Sequence, residues 1–163
     1  MRTRFLWIED GAIADYRYLL APIYVSGQYD PVIALDVCEG IRRLKEQEFD
    51  AVIVDIRLPP GDEPEWIRLY RQLGSNKATA RLGSKLLRSL LKPDGDDIQI
   101  EGVPEWVRPQ RFGILTVETK DLVQEDLKEL DITVYEQKIG RTREDALKDL
   151  VQRVISRNRE SGE

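Results

Sequence analysis

Phe49-Asp50-Ala51-Val52-Ile53-Val54-Asp55-Ile56-Arg57-Leu58-Pro59 is the stretch on which the fold turns. Its centre is four apolar residues, three of them β-branched, that stop at a carboxylate. A run this short and this apolar reads as a strand buried on both faces, the habit of parallel sheets. The turn signal Pro59-Pro60-Gly61 closes it. Working outward, similar runs at residues 5–8, 32–35, 112–115 and 132–135 supply four more strands.

Amphipathic patterns lie between the strands. Asp36 is placed to cap a helix carrying Val37, Ile41 and Leu44, and Glu39 completes a capping-box pattern. Leu82, Leu86 and Leu90 form a second stripe, with Leu87 and Leu91 beside it. Val123, Leu127 and Leu130 form a third behind Asp121. The last helix is expected to begin near Thr142, with Asp145 three residues on, and to turn Leu147, Leu150, Val151 and Val154 inward. A first helix is expected at residues 12–20. Alternating strands and helices with right-handed crossovers predict an α/β fold, a doubly wound five-stranded parallel sheet with helices on both faces.

Two stretches exceed that pattern and read as insertions flanking the third helix. One, at about 63–80, holds a short helix over 64–73 that ends at Gly74. The other, at about 92–110, holds the turn Pro93-Asp94-Gly95-Asp96, the alternation Ile98-Gln99-Ile100, and Trp106. Trp66 and Trp106 either anchor these insertions or serve a partner. The whole of 1–163 reads as one domain with a short tail at about 158–163.

Composition narrows the chemistry. With 30 acidic and 25 basic residues the net charge is −5, which offers no basic face for nucleic acid. No histidine is present, so an imidazole base and a Cys/His zinc site are both excluded. Any bound metal takes oxygen ligands, which favours a hard cation such as Mg²⁺. The one cysteine, Cys38, reads as a small apolar helix residue and suits a reducing compartment. The opening run 5–8 meets Glu9-Asp10 at once, so neither a signal peptide nor a membrane span is expected, and a cytoplasmic location is.

In an open parallel sheet the working site lies beyond the carboxyl ends of the strands. Glu9 and Asp10 close the first strand, Asp55 the third and Thr116 the fourth, and Lys138 follows the fifth. Carboxylates crowded together repel unless a cation sits among them. A lysine and a hydroxyl beside them suit the oxygens of a transferred phosphoryl group. Taken singly, each has a plainer role: Asp55 as a turn cap, Glu9 and Asp10 as the first turn of a helix, Lys138 as a solvated lysine, and Thr116 and Tyr135 as strand residues.

Together these residues resemble the receiver (CheY-like) family of two-component response regulators. Val32-Ile33-Ala34-Leu35-Asp36 through Asp55-Ile56-Arg57-Leu58-Pro59 is similar to the family's second strand, second helix and phosphoacceptor strand. Glu9-Asp10 is similar to its acidic pair, and Gly83-Ser84-Lys85-Leu86-Leu87-Arg88 to the start of its third helix. Thr116, Tyr135 and Lys138 fall at the family's spacings. The resemblance implies that Asp55 accepts a phosphoryl group from a sensor histidine kinase or phosphotransfer protein. It implies that Asp10, Asp55 and the Arg57 carbonyl bind Mg²⁺, with Glu9 acting through water. Lys138 would stabilise the phosphoryl oxygens, and Thr116 and Tyr135 would switch. Activity of its own would be limited to self-phosphotransfer and autodephosphorylation. Little chain follows the last helix, so a stand-alone receiver acting on a downstream protein is expected. Neither nucleic acid nor membrane is expected as a partner, and a homodimer is compatible.

Ile139 stands where the family has proline, and Val117 where it favours a smaller residue; Thr119 is a second hydroxyl candidate. Arg57 and Glu118 each lie two residues past a strand-end site residue and are expected to pair at the rim beside Val117. The alternative is a pseudo-receiver, an interaction module without phosphorylation. A phosphatase of the haloacid-dehalogenase kind would need an aspartate where Arg57 stands, and Glu9-Asp10-Gly11-Ala12 is no glycine-rich dinucleotide loop.

Overall fold

Five parallel strands, β1 (Thr3–Ile8), β2 (Tyr29–Ala34), β3 (Ala51–Val54), β4 (Phe112–Thr116) and β5 (Val134–Gln137), form one sheet in the order β2-β1-β3-β4-β5. The structure, a computed structural model, describes residues 1–161. The chain leaves β1 toward β2, then crosses to β3 and continues the other way. The sheet's switch point therefore lies between β1 and β3, where Ile8 pairs with Val54.

Alternation along the strands sorts the core into two layers. Leu6, Ile8, Val52, Val54 and Ile114 face one side, under α2 (Val37–Glu46), α5 (Leu82–Leu91) and α6 (Lys120–Leu130). Phe5, Trp7, Ala51, Ile53 and Leu115 face the other, under α1 (Ala21–Ser26) and α7 (Ala146–Glu160). Gly113 lets α7 sit close: a Cβ there would meet Val154 at 3.0 Å. Asp36 caps α2 as its spacing predicts, accepting from the Glu39 amide at 2.8 Å. Glu39 reaches back to the Leu35 amide at 2.7 Å, one residue earlier than the usual capping box.

Several boundaries differ from the sequence reading. Residues 12–20 are turns and a 3₁₀ segment, and the first α-helix starts only at Ala21, with Pro22 in its first turn. The fifth strand begins at Val134 because Ile132 belongs to the end of α6. Asp131 adopts φ 55°, and the Ile132 amide donates to the Leu127 carbonyl at 2.9 Å, a Schellman closure with its apolar contact. The last helix begins at Ala146, since Thr142 is buried in the preceding loop, where its carbonyl accepts from Tyr18. That helix runs to Glu160, through much of the expected tail; residues 162 and 163 lie outside the described residues.

The first insertion forms α3 (Pro64–Gln72), the short helix expected over 64–73, and beyond it the single turn α4 (Lys77–Ala80), which was not expected. The second insertion carries no strand at Ile98-Gln99-Ile100. Both tryptophans turn inward. Trp66 is buried, and Trp106 packs edge-on to Phe49 with centroids 6.0 Å apart.

Candidate functional site

The carboxyl ends of β1 and β3 lie side by side and bring Glu9, Asp10 and Asp55 together. One carboxylate oxygen from each falls within 4.8 Å of the others. Lys138 reaches the same place from the end of β5. Its amide donates to the Thr116 carbonyl at 2.7 Å, and its ammonium lies 3.9 Å from the Tyr16 ring centroid. Every peptide bond among the described residues is trans, Lys138–Ile139 included. The Lys138 Nζ donates to Glu9 Oε1 and lies 3.5 Å from Asp55 Oδ2. Its closer partner is Glu9, the carboxylate expected to act through water.

Burial dominates the electrostatics. Glu9 is pushed up to about 8, first by desolvation and then by the Asp55 charge, with Lys138 pulling the other way. Desolvation opposes the charge on Lys138, but Asp55 and Glu9 outweigh it and hold the lysine above its ordinary value. A group whose carboxyl is raised in the folded state holds a proton that the unfolded chain has lost. Its contribution to stability is therefore full at low pH and disappears as pH climbs through about 8.

The donor set fits a hard divalent cation: oxygens only, three carboxylates, and no nitrogen or thiol ligand among them. A cation here, even one that meets Glu9 through water, favours loss of the Glu9 proton. Mg²⁺ affinity is therefore expected to rise about tenfold from about pH 6.5 to about 7.5 and to level off above about pH 8. Calorimetry at several pH values checks this, with Glu9→Gln expected to flatten the profile.

Thr116 is buried, and its hydroxyl accepts from the Glu118 amide at 3.4 Å. Tyr135 is half-buried and donates to the Glu118 carbonyl at 2.5 Å, so the two switch candidates meet at one residue. Burial, then the Glu118 and Asp121 charges, raise the tyrosine's pKa and keep it a donor. Arg57 and Glu118 pair through Nε–Oε2 at 2.8 Å. Glu118 also takes Arg81 Nε at 2.7 Å, a partner that no local sequence signal marks. The Arg57 amide lies 3.3 Å from Asp55 Oδ1, and Val117 sits at the edge of the pocket. Thr119 precedes α6 as its N-cap and makes no side-chain capping bond.

The site opens into a cavity of about 500 Å³, walled on one side by the first insertion through Tyr70, Ser75, Asn76, Lys77 and Ala78. Lys77 Nζ binds Asp10 Oδ2 at 2.5 Å. This contact is absent from the sequence reading, because a lysine in a polar insertion looks like any solvated one.

No protein-family profile matches the chain, and no curated protein matches it in sequence. Solved structures do. A CheY-like response regulator receiver domain protein from Methanospirillum hungatei JF-1 is 16% identical, with 98% of this chain and 99% of that one covered and a TM-score of 0.60. The non-phosphorylated HemR receiver domain from Leptospira biflexa is 21% identical over 95% of each chain, with a TM-score of 0.59. The receiver domain of a sensor histidine kinase from Pseudomonas aeruginosa PAO1, with magnesium ion coordinated in its active site cleft, is 17% identical; 96% of this chain and 99% of that one are covered, with a TM-score of 0.54. The fold of this chain is the CheY-like receiver fold.

Proposed function

We propose that this chain, folded as response-regulator receivers are, accepts a phosphoryl group on Asp55 and signals through protein contacts. The observation that carries the reading is the placement of a buried carboxylate at the end of the central strand. It lies 3.5 Å from the Lys138 ammonium and beside two further carboxylates, Glu9 and Asp10. In the reaction an Asp55 oxygen attacks phosphorus, and the bond from phosphorus to the donor's leaving group breaks. Asp10, Asp55 and the Arg57 carbonyl would hold Mg²⁺, with Glu9 behind them. When bound, the ion offsets the charge that builds on the phosphoryl oxygens. Lys138 stabilises the same oxygens directly.

Thr116 and Tyr135 carry the response outward in this reading. Thr116 turns toward the acyl phosphate, and Tyr135 exchanges its bond to the Glu118 carbonyl for a new rotamer. A preference of a few kcal/mol between two states is enough for such a switch. The donor is a sensor histidine kinase or phosphotransfer protein, and the output is a downstream protein, with no nucleic acid or membrane partner and with room for a homodimer. Residues 1–163 act as one receiver domain in the cytoplasm, with 63–80 and 92–110 as insertions. Among the described residues no helix is long and apolar enough to cross a membrane.

Incubation with acetyl phosphate and Mg²⁺ tests the reading by intact mass. A gain of one phosphoryl group that EDTA prevents is the expected result. A second reading, the pseudo-receiver, draws on one observation: the Lys138 ammonium is nearer Glu9 than Asp55. No mass gain from acetyl phosphate or from any of several kinases would select it.

Arg57, held by the buried Glu118, lines the cavity through which water must enter to hydrolyse the acyl phosphate. Arg57→Ala is expected to shorten the lifetime of the phosphorylated protein about threefold by opening that path. Folding should be unaffected, because Arg81 continues to hold Glu118. Decay of the phosphoryl mass after removal of acetyl phosphate measures it; an unchanged rate would remove the rim from the mechanism.

A further inference from the structure

The turn α4 is a structural oddity with a use. A four-residue helix cannot stand alone, because its nucleation is never repaid by propagation. The Asn76 side chain caps it by accepting from the Ala78 amide at 2.8 Å, Ala80 is buried in the core, and a charged side chain ties it down at each end. At its start Lys77 holds Asp10 at 2.5 Å. Just past its end Arg81, in the left-handed region at φ 47°, holds Glu118 at 2.7 Å and the Leu122 carbonyl at 3.0 Å. A non-glycine residue in that conformation is costly and persists only where its surroundings insist on it. The turn is thus stretched between the acidic cluster and the rim, and Ser75, Asn76 and Ala78 line the cavity with it.

Asp10 is the most exposed of the three carboxylates, with 27% of its side chain open, so it lies on the side from which an ion enters. Its Oδ2 is already bonded to an ammonium, and Lys138 is bonded to Glu9. Two ammonium groups face three carboxyl groups, so the charge that draws a cation is largely offset from within.

We propose that Lys77 is an internal competitor for the divalent cation: metal enters the acidic cluster only as the Lys77–Asp10 bond opens, and α4 loosens as it does. The proposal rests on the receiver reading given above and adds to it a regulation of the same site. An ammonium 2.5 Å from Asp10 Oδ2 occupies one of this carboxylate's two donor oxygens and stands close beside any cation that the carboxylate holds. Repulsion between the two positive charges drives the lysine off. With its first anchor gone, the turn keeps only the Asn76 cap on the Ala78 amide, the buried Ala80 and the Arg81 anchor, and its start loosens where a phosphodonor must approach. Metal occupancy and access to Asp55 become one event.

Two measurements test this, neither of which reads phosphorylation. Calorimetric titration with Mg²⁺ is expected to show Lys77→Ala binding about three- to tenfold more tightly than the unaltered chain, and Lys77→Arg, which keeps the charge, showing no such gain. A charge deleted nearby could tighten binding without any displacement, so the second measurement is made on the unaltered chain. Its Ala80 and Arg81 amides, bonded to the Asn76 and Lys77 carbonyls at 2.8 and 3.1 Å, are expected to exchange with deuterium several-fold faster when Mg²⁺ is added. If Mg²⁺ binds and either the affinity of Lys77→Ala or the exchange is unchanged, the competitor is overturned and the receiver reading stands. If neither protein binds Mg²⁺, the receiver reading itself fails and takes the competitor with it.

Discussion

Asp55→Asn is expected to abolish the phosphoryl mass gain and, in the same protein, to raise thermal stability. The first effect is chemical. An amide offers no carboxylate nucleophile, so incorporation should fall about a hundredfold or more, to the background of the measurement. The second follows from what Asp55 does to its neighbours. Its charge is the second cause, after desolvation, of the rise that takes Glu9 to about 8. Asparagine keeps the shape and can still accept from the Arg57 amide, which lies 3.3 Å away. The change also removes the counter-charge that raises Lys138 most, but the ammonium keeps its bond to Glu9, which is ionised at high pH.

Repulsion should therefore win over the lost attraction, by about 1 kcal/mol, or roughly 2–4 °C in Tm for a chain of this size. The pH dependence gives the sign its own check. Above about pH 8 Glu9 is ionised in the folded chain and the repulsion acts in full, so the gain is largest there. It shrinks as pH falls toward the ordinary carboxylate range, where Glu9 is protonated whether the chain is folded or not. Thermal melts at several pH values in EDTA measure it. A lower Tm at high pH would mean that Lys138 depends on Asp55 more than Glu9 suffers from it.

How far the site could be read from the sequence follows from how local each signal is. Strands buried on both faces carry their identity in every residue, which is why Ala51–Val54 is found at its true limits. Asp55 and its companions are then placed by topology, because a doubly wound sheet gathers strand ends wherever they lie in the chain. The same logic reaches Arg57 and Glu118, 61 residues apart but each two positions beyond a strand-end site residue, Asp55 or Thr116. It fails for Ile132, whose apolar side chain closes the end of α6 and so imitates the first residue of a strand. It fails for the first helix, expected at 12–20, where Leu19 and Leu20 are buried but lie in a 3₁₀ segment.

Most instructively, it fails for Lys77 and Arg81. Lys77 binds a carboxylate 67 residues away, from an insertion with no strand end to index it. Arg81 takes up a backbone conformation that glycine usually announces. Side chains whose role depends on where an insertion folds back leave no periodicity and no spacing to read.

Gly83 is where backbone approach, not flexibility, demands glycine, and Gly83→Ala is expected to be the most destabilising small substitution near the site. A Cβ there would lie 2.0 Å from the Asp55 carbonyl oxygen and 2.6 Å from the Ile56 Cα. Both are backbone atoms at the end of β3, so no side chain can swing aside to make room. The Gly83 amide donates to the Ile56 carbonyl at 2.9 Å, which binds the first turn of α5 to the strand end. To admit a methyl group, either α5 must lift off the sheet or the end of β3 must move. The first choice opens the layer that Leu82, Leu86, Leu87 and Leu90 fill. The second displaces Asp55 from Lys138 and Glu9. Either should cost about 3 kcal/mol, at the upper end of what overpacking a core costs. The urea midpoint should fall accordingly with an unchanged slope. Gly95→Ala serves as the control, since a Cβ at that position meets nothing within 4 Å and should leave the midpoint in place. Phosphorylation separates the two ways of yielding. A Gly83→Ala protein that is folded but incorporates phosphate slowly has moved the strand end. One that is less stable yet phosphorylated at the ordinary rate has lifted the helix and kept Asp55 where β3 puts it.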